Sequence, residues 1–230
     1  MDYSTNALGV SASEYHAMRT KHYGWGYRKE RRASQVVEAI QRCRSDQSFD
    51  SILDVGVADG LTLQKIVDRL NVKHCFGVDM SLELMGFGSN NNGLSFVQSD
   101  AVVLPFKSSK FDLVTATAII EHVSSISLFL TEIYRVLKSG GMVVITTPDP
   151  FWDRLAGRIL PIFKEVHIET LTLANLKEYL QDTRFEFVYG EKFMLSPIGF
   201  PFEQKVERIL RTVRLTFSML NQVAVGVKHN

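Results

Sequence analysis

From Ser51 onward the chain alternates short apolar runs with segments whose apolar positions recur every three or four residues. The runs Ser51–Val55, Lys73–Val78, Leu94–Gln98, Phe111–Ala116 and Met142–Thr147 have strand length and are apolar almost throughout. That pattern predicts strands buried on both faces. Leu61, Leu63, Ile66, Val67 and Leu70 make the inward face of a helix after the first strand. Leu128–Leu137 predicts another helix, which Ser139-Gly140-Gly141 stops. Strands alternating with helices predict an α/β fold, a doubly wound and mostly parallel sheet with helices on both faces. A ligand then belongs at the carboxyl ends of the strands, where Asp54, Asp79, Asp100 and Thr117–His122 collect.

The tail departs from this rhythm. Leu173–Leu180 reads as a helix and Phe185–Phe193 and Gln222–Val227 as strands, which brings the count to seven with the last one antiparallel. Between them, Glu203–Leu215 is amphipathic, with Val206, Ile209, Leu210 and Val213 expected as the face that packs on the domain. Phe200 and Phe202 beside Lys205, Arg208 and Arg211 admit a second reading, a hydrophobic or lipid-linked acceptor or peripheral membrane contact. Upstream, Tyr15–Arg44 is aromatic and basic and leads into a helix with Val36, Val37 and Ile40 inward. The expected organisation is one domain over 1–230: an N-terminal helical and aromatic lid (1–50), a ligand-binding core (51–150), a second lid (151–170), and C-terminal strands with an inserted amphipathic helix (171–230).

Composition narrows the classes. The chain has 230 residues, 45% hydrophobic and 22% charged, which excludes wholesale disorder. Its 26 basic and 25 acidic residues leave +1, which disfavours a nucleic-acid binder. Cys43 and Cys75 stand apart without a CxxC or His cluster, so no metal site is expected and a reduced, cytoplasmic setting is. Neither a secretory signal nor an apolar run long enough to span a bilayer is read in the chain.

Chemistry centres on the turn Asp54-Val-Gly-Val-Ala-Asp-Gly60. A dinucleotide fingerprint wants G-x-G-x-x-G; counted from Gly56, Ala58 and Leu61 occupy its second and third glycine positions. No Gly-Lys-Ser/Thr follows, so a phosphate-cradling P-loop fails as well. The segment ILDVGVADG instead resembles motif I of the class I S-adenosylmethionine-dependent methyltransferases, with Gly56 and Gly60 matching and Ala58 in place of the middle glycine. FGVDMS, FVQSDAVVLPF, FDLVTATAIIEHV and YRVLKSGGMVVITTPDP match further segments of that family in order, and the likeness is greatest to its small-molecule branch, methyltransferase type 11, which includes quinone-biosynthesis enzymes.

The resemblance implies a Rossmann-like fold, S-adenosylmethionine as cofactor and S-adenosylhomocysteine as product. It implies cofactor contacts from Asp54, Gly56, Ala58, Gly60, Met80, Ala101 and Thr117, a ribose-binding Asp79 and an adenine-binding Asp100. A carboxylate suits a vicinal diol because it accepts two hydrogen bonds. The plainer readings stay open: Asp59 as an N-cap, Asp79 and Asp100 as turn residues. His122 and His167 are the candidate catalytic bases, with Glu121 and Asp149 behind them. Arg28, Arg31 or Arg32 is read as meeting a carboxylate of cofactor or substrate, or as a solvated basic face. The expected reaction is methyl transfer to a small molecule, with O-methylation favoured. The rivals are a binding module without catalysis and an NAD-linked oxidoreductase.

Overall fold

The structure, a computed structural model, describes residues 10–46, 48–88, 93–159 (backbone alone for 156–159) and 168–229. Its strands are β1 (Ser48–Val55), β2 (Asn71–Asp79), β3 (Leu94–Gln98), β4 (Phe111–Thr117), β5 (Leu137–Pro148), β6 (Phe185–Phe193) and β7 (Asn221–Lys228). They form one sheet in the order β3-β2-β1-β4-β5-β7-β6. β1 to β5 pair in parallel, and β7 inserts antiparallel to both β5 and β6. The order reverses between β1 and β4, which leaves the crevice where such sheets take ligands. The register sets Asp54 beside Gly77 on one side and Thr115 on the other.

Neighbouring strand residues feed opposite layers, as a period of two requires. Leu53, Val114 and Val143 pack with Phe129, Leu130, Ile133, Leu176 and Leu180. Those partners lie on α5 (Ile126–Val136) and α7 (Leu173–Asp182). Ile52, Leu113 and Val144 face the other way, against Val36, Val37, Ile40, Leu63 and Ile66 of α2 (Tyr23–Cys43) and α3 (Leu61–Val67). The sequence expectation for both layers holds.

Three local expectations do not. Ser139-Gly140-Gly141 is not the helix stop, because α5 has already ended at Val136; the glycines lie within β5. Gly140 there takes φ +72°, and a Cβ on Gly141 would stand 2.8 Å from the Lys138 carbonyl oxygen. Two helices lacked a sequence signal, α1 (Ala12–Lys21) and α4 (Leu82–Gly88). Ser11 opens α1 with a capping box to Glu14, whose effect ends within one turn. The third concerns α8 (Glu203–Thr212), whose apolar stripe does not pack on the domain. Val206, Ile209 and Val213 are exposed and Leu210 alone of the expected face is half-buried, while Glu203 and Glu207 are buried.

Candidate active site

The carboxyl edge of the sheet gathers the residues that the motifs singled out. Asp54 ends β1 and is 1% exposed. The Thr115 hydroxyl donates to its Oδ1 at 2.6 Å, and its Oδ2 has no hydrogen-bond partner among the described residues. Burial pushes its pKa up to about 7, against the pull of Thr115 and Arg19. A buried carboxylate with one oxygen unsatisfied is unstable on its own and suits a cationic ligand group.

The following turn is built on three left-handed residues, Gly56 (φ +78°), Ala58 (φ +49°) and Gly60 (φ +72°). A Cβ on Gly56 would lie 2.7 Å from the Ile119 side chain, so glycine is needed there for space as well as for angle. Asp79 ties the turn down. The Ala58 N–H donates to its Oδ2 at 2.8 Å and the Ser81 N–H to its Oδ1 at 2.9 Å. Each oxygen keeps a lone pair, so this structural role leaves Asp79 able to accept from a diol. Burial raises the Asp79 carboxyl above its usual range.

The other predicted positions are less committed. Met80 is exposed, and its carbonyl accepts from the Gln98 amide at 2.8 Å. Asp100 is exposed and accepts the Val102 N–H at 3.1 Å, a turn contact. Ala101 packs on the edge of the core. Thr117 ends β4 and is half-buried, and Ala118 after it adopts φ +55°. His122 closes a 3-10 turn over Ile120–His122 and is half-buried. Glu121 beside it is buried; the Thr147 hydroxyl donates to its Oε2 at 2.9 Å, and its carbonyl accepts the Ile168 N–H at 2.8 Å. His167 lies outside the described residues.

Asp59 and the arginines need correction. Gly60, not Asp59, sits at the N-cap of α3, although the Asp59 carboxylate accepts the Leu61 N–H at 3.3 Å. Its main partner is Arg19 of α1, whose Nε lies 3.1 and 3.0 Å from the two oxygens, with His16 Nδ1 at 3.1 Å. Burial opposes the Asp59 charge, but Arg19 outweighs it and holds the carboxyl below its usual range. Ala12 and Tyr15 of α1 also pack with Ala58 and Leu84, so the N-terminal helix lies against the glycine turn. The basic residue that reaches this turn is Arg19. Arg31 meets Glu207, a carboxylate of the chain itself. Arg28 stacks 4.2 Å from the Trp25 ring centroid, and Arg32 reaches Asn221.

A cavity of about 480 Å³ opens at the carboxyl end of β5. Asp149, Phe151, Arg154, Leu155, Thr172 and Lys192 line it. Asp149 is 4% exposed, pairs with the Lys192 ammonium and accepts the Phe151 N–H at 3.1 Å. Phe151, Arg154 and Leu155 belong to α6 (Pro150–Ile159), the part of the expected lid that is described.

Comparison with known proteins agrees with this geometry. A family model described as a methyltransferase domain matches residues 53–145. Demethylmenaquinone methyltransferase of Bacteroides fragilis is 30% identical over 166 residues, which is 65% of this chain and 66% of the relative. Ubiquinone/menaquinone biosynthesis C-methyltransferase of Allorhizobium ampelinum is 28% identical over 175 residues, 68% of this chain and 66% of the relative. The chain therefore aligns with just under two thirds of the length of these relatives. Among solved structures, the complex between a methyltransferase activator and a methyltransferase of Haloferax volcanii superimposes with a TM-score of 0.71 at 19% identity, covering 95% of this chain and 96% of that one. The sheet order, the glycine turn and these matches define a class I S-adenosylmethionine-dependent methyltransferase fold. Within that class, residues 53–145 match the methyltransferase domain model, and the relatives named above are methyltransferases of quinone biosynthesis.

Proposed function

We propose that the chain moves the methyl group of S-adenosylmethionine to a small, largely apolar acceptor held in the cavity at the end of β5. The observation that carries the reading is the unsatisfied Asp54 Oδ2, buried at the rim beside the glycine turn. Asp54 would hold the methionine ammonium of the cofactor, which would supply the charge and donors that this oxygen lacks. Asp79 would take the ribose hydroxyls, Asp100 and Ala101 the adenine edge, and Met80 and Thr117 the flanks. Gly56, Ala58 and Gly60 would hold the turn that the nucleoside meets. The bound sulfonium brings a methyl group already activated for displacement.

The protein's remaining work is placement, exclusion of water and one proton transfer. Asp149 is the carboxylate that the cavity presents for that transfer, held by Lys192. His122 and His167 are the other candidates for a base. Phe151 and Leu155 favour an apolar ring in the cavity. Removing a proton from a ring hydroxyl makes both the oxygen and the neighbouring ring carbon nucleophilic. O-methylation, the preference from the sequence, and C-methylation therefore share this first proton transfer; the carbon route then also loses the ring hydrogen from the methylated carbon, with a proton returning to the oxygen to restore the aromatic ring. The relative named as a C-methyltransferase favours carbon on a quinol-like ring.

Calorimetric titration with S-adenosylmethionine and S-adenosylhomocysteine tests the cofactor half, where saturable binding is expected and its absence refutes the reading. Incubation with methyl-labelled cofactor and a hydroxynaphthoquinol, read by carbon NMR, separates methoxy from aryl-methyl product. Saturable binding with no methylated product would leave only the binding module.

A further inference from the structure

α8 docks by its polar face. Glu207 accepts two bonds from Arg31 Nη2, at 2.9 and 2.7 Å, and the Met194 N–H at 3.0 Å. Glu203 accepts the Leu195 and Ser196 N–H groups at 2.6 and 2.9 Å and the Tyr27 hydroxyl. Both acids are therefore turned into the protein, which rotates the apolar stripe out to solvent. Ile209 is 64% exposed, and Phe202 and Phe217, which flank the helix, are 71% and 68% exposed. Val206, Val213, Leu215, Ile198 and Phe200 are exposed with them.

The charges that share this outward surface have one sign. Lys205, Arg208 and Arg214 are exposed, and no acidic residue of the 203–215 segment points outward with them. Packing the stripe inward would bury apolar area but leave Arg31 without its carboxylate, whereas the observed arrangement keeps that pair and leaves the stripe in solvent. We propose that this face seats the protein on an anionic phospholipid bilayer. An apolar stripe rimmed by cations is what an interfacial helix needs, with side chains sinking among acyl chains and cations meeting phosphate groups. A second copy of the chain would bring the same cations together, so charge opposes self-association through this face. No helix among the described residues is long and apolar enough to cross a membrane.

The patch also adjoins the cavity. Arg211 Nε donates to the Lys192 carbonyl at 3.2 Å, and Trp152 Nε1 of α6 donates to the Phe217 carbonyl at 2.6 Å. A bilayer-borne acceptor would reach the cavity beside this seat; that delivery rests on the methyl-transfer reading, while the docking does not.

Co-sedimentation with vesicles of phosphatidylcholine, with and without phosphatidylglycerol, tests it on the full chain without reference to activity. The wild type should pellet with the anionic vesicles at low salt and be released by high salt. At about fivefold per cation, Lys205→Gln with Arg208→Gln and Arg214→Gln should weaken binding on the order of a hundredfold. Ile209→Asp should weaken it about tenfold or more. These side chains are exposed, so unchanged thermal unfolding checks that both variants fold. Wild type left in the supernatant, equal pelleting with both lipid mixtures, or variants that bind like wild type would overturn the proposal. So would a lipid-free dimer that Ile209→Asp dissociates.

Discussion

Asp54→Asn should make the ligand-free protein more stable at alkaline pH while weakening its hold on the cofactor. The carboxyl is buried, and burial raises its pKa from an ordinary 3.8 to about 7. An acid whose pKa rises on folding binds its proton more tightly in the native state. Native stability is then greatest at low pH and falls as pH rises from the unfolded pKa to the folded one, after which the penalty is constant. At roughly 1.4 kcal/mol per unit, the ionised carboxylate costs at most about 4 kcal/mol above neutrality. Only part of this is already lost at pH 5, so wild type should lose about 2–3 kcal/mol against the variant between pH 5 and pH 8. Asparagine carries no charge at either pH, and its amide oxygen still accepts from the Thr115 hydroxyl. Its amide nitrogen is left unpartnered, which takes back roughly 1–3 kcal/mol at every pH and leaves the slope intact.

Urea melts of both proteins at the two pH values measure that difference. Titration with S-adenosylmethionine measures the other half: a charged hydrogen bond of about 1.5–3 kcal/mol corresponds to a loss of roughly ten- to a hundredfold in affinity. Wild-type affinity should itself fall about tenfold per pH unit below 7, because the proton must leave before the ammonium binds. A stability difference independent of pH would refute the buried ionisation. Unchanged affinity would remove Asp54 from the cofactor site.

The remaining expectations address other parts of the molecule. Asp79→Asn presents an N–H group to the Ala58 or Ser81 N–H, and should weaken cofactor binding by about tenfold or more in the same titration. Gly56→Ala places a methyl group against Ile119 at a left-handed φ and should cost about 1–3 kcal/mol in denaturant melts. Arg31→Met leaves Glu207, a carboxyl that burial raises despite its partners, with only Arg211 at 3.4 Å and the Met194 N–H. That variant should lose about 3–5 kcal/mol, and adding Glu207→Leu should restore more than half; a double mutant no better than the single would show that the pair is not the source. Asp149→Asn should lower kcat by about a hundredfold with cofactor Kd unchanged if it carries the proton transfer, and an unaltered kcat would pass that role to a histidine.

Much of the central sheet was legible because its signals are local. Leu94–Gln98 and Phe185–Phe193 have the same limits in sequence and structure, since each is rich in aromatic and β-branched residues and is bounded by polar or turn residues within a few positions. The Asp54 and Asp79 positions were legible because a parallel strand places its last residue at the ligand edge whatever surrounds it. Asp59 was misread because a local N-cap and a distant ion pair demand the same residue type. Arg19, which decides between them, lies 40 residues earlier in a helix whose amphipathic pattern is too weak to announce it.

α8 marks the physical limit of such reading most clearly. Spacing at Val206, Ile209 and Val213 defines an apolar face, but spacing carries no information about which way that face turns. The direction depends on what competes for the inner position. Here Arg31 and Tyr27, each 176 residues from their partners, offer a buried cation and a hydroxyl that only Glu207 and Glu203 can answer. Turning the helix over would bury the stripe and strand Arg31 beneath it without a carboxylate, at a penalty of several kcal/mol. The hydrophobic gain from burying a valine or isoleucine is about 1.5–3 kcal/mol each, so the three of the stripe together give a gain of the same order as that penalty. The two arrangements are therefore close in energy, and the ion pair with its added backbone bonds selects the one that faces the apolar residues outward.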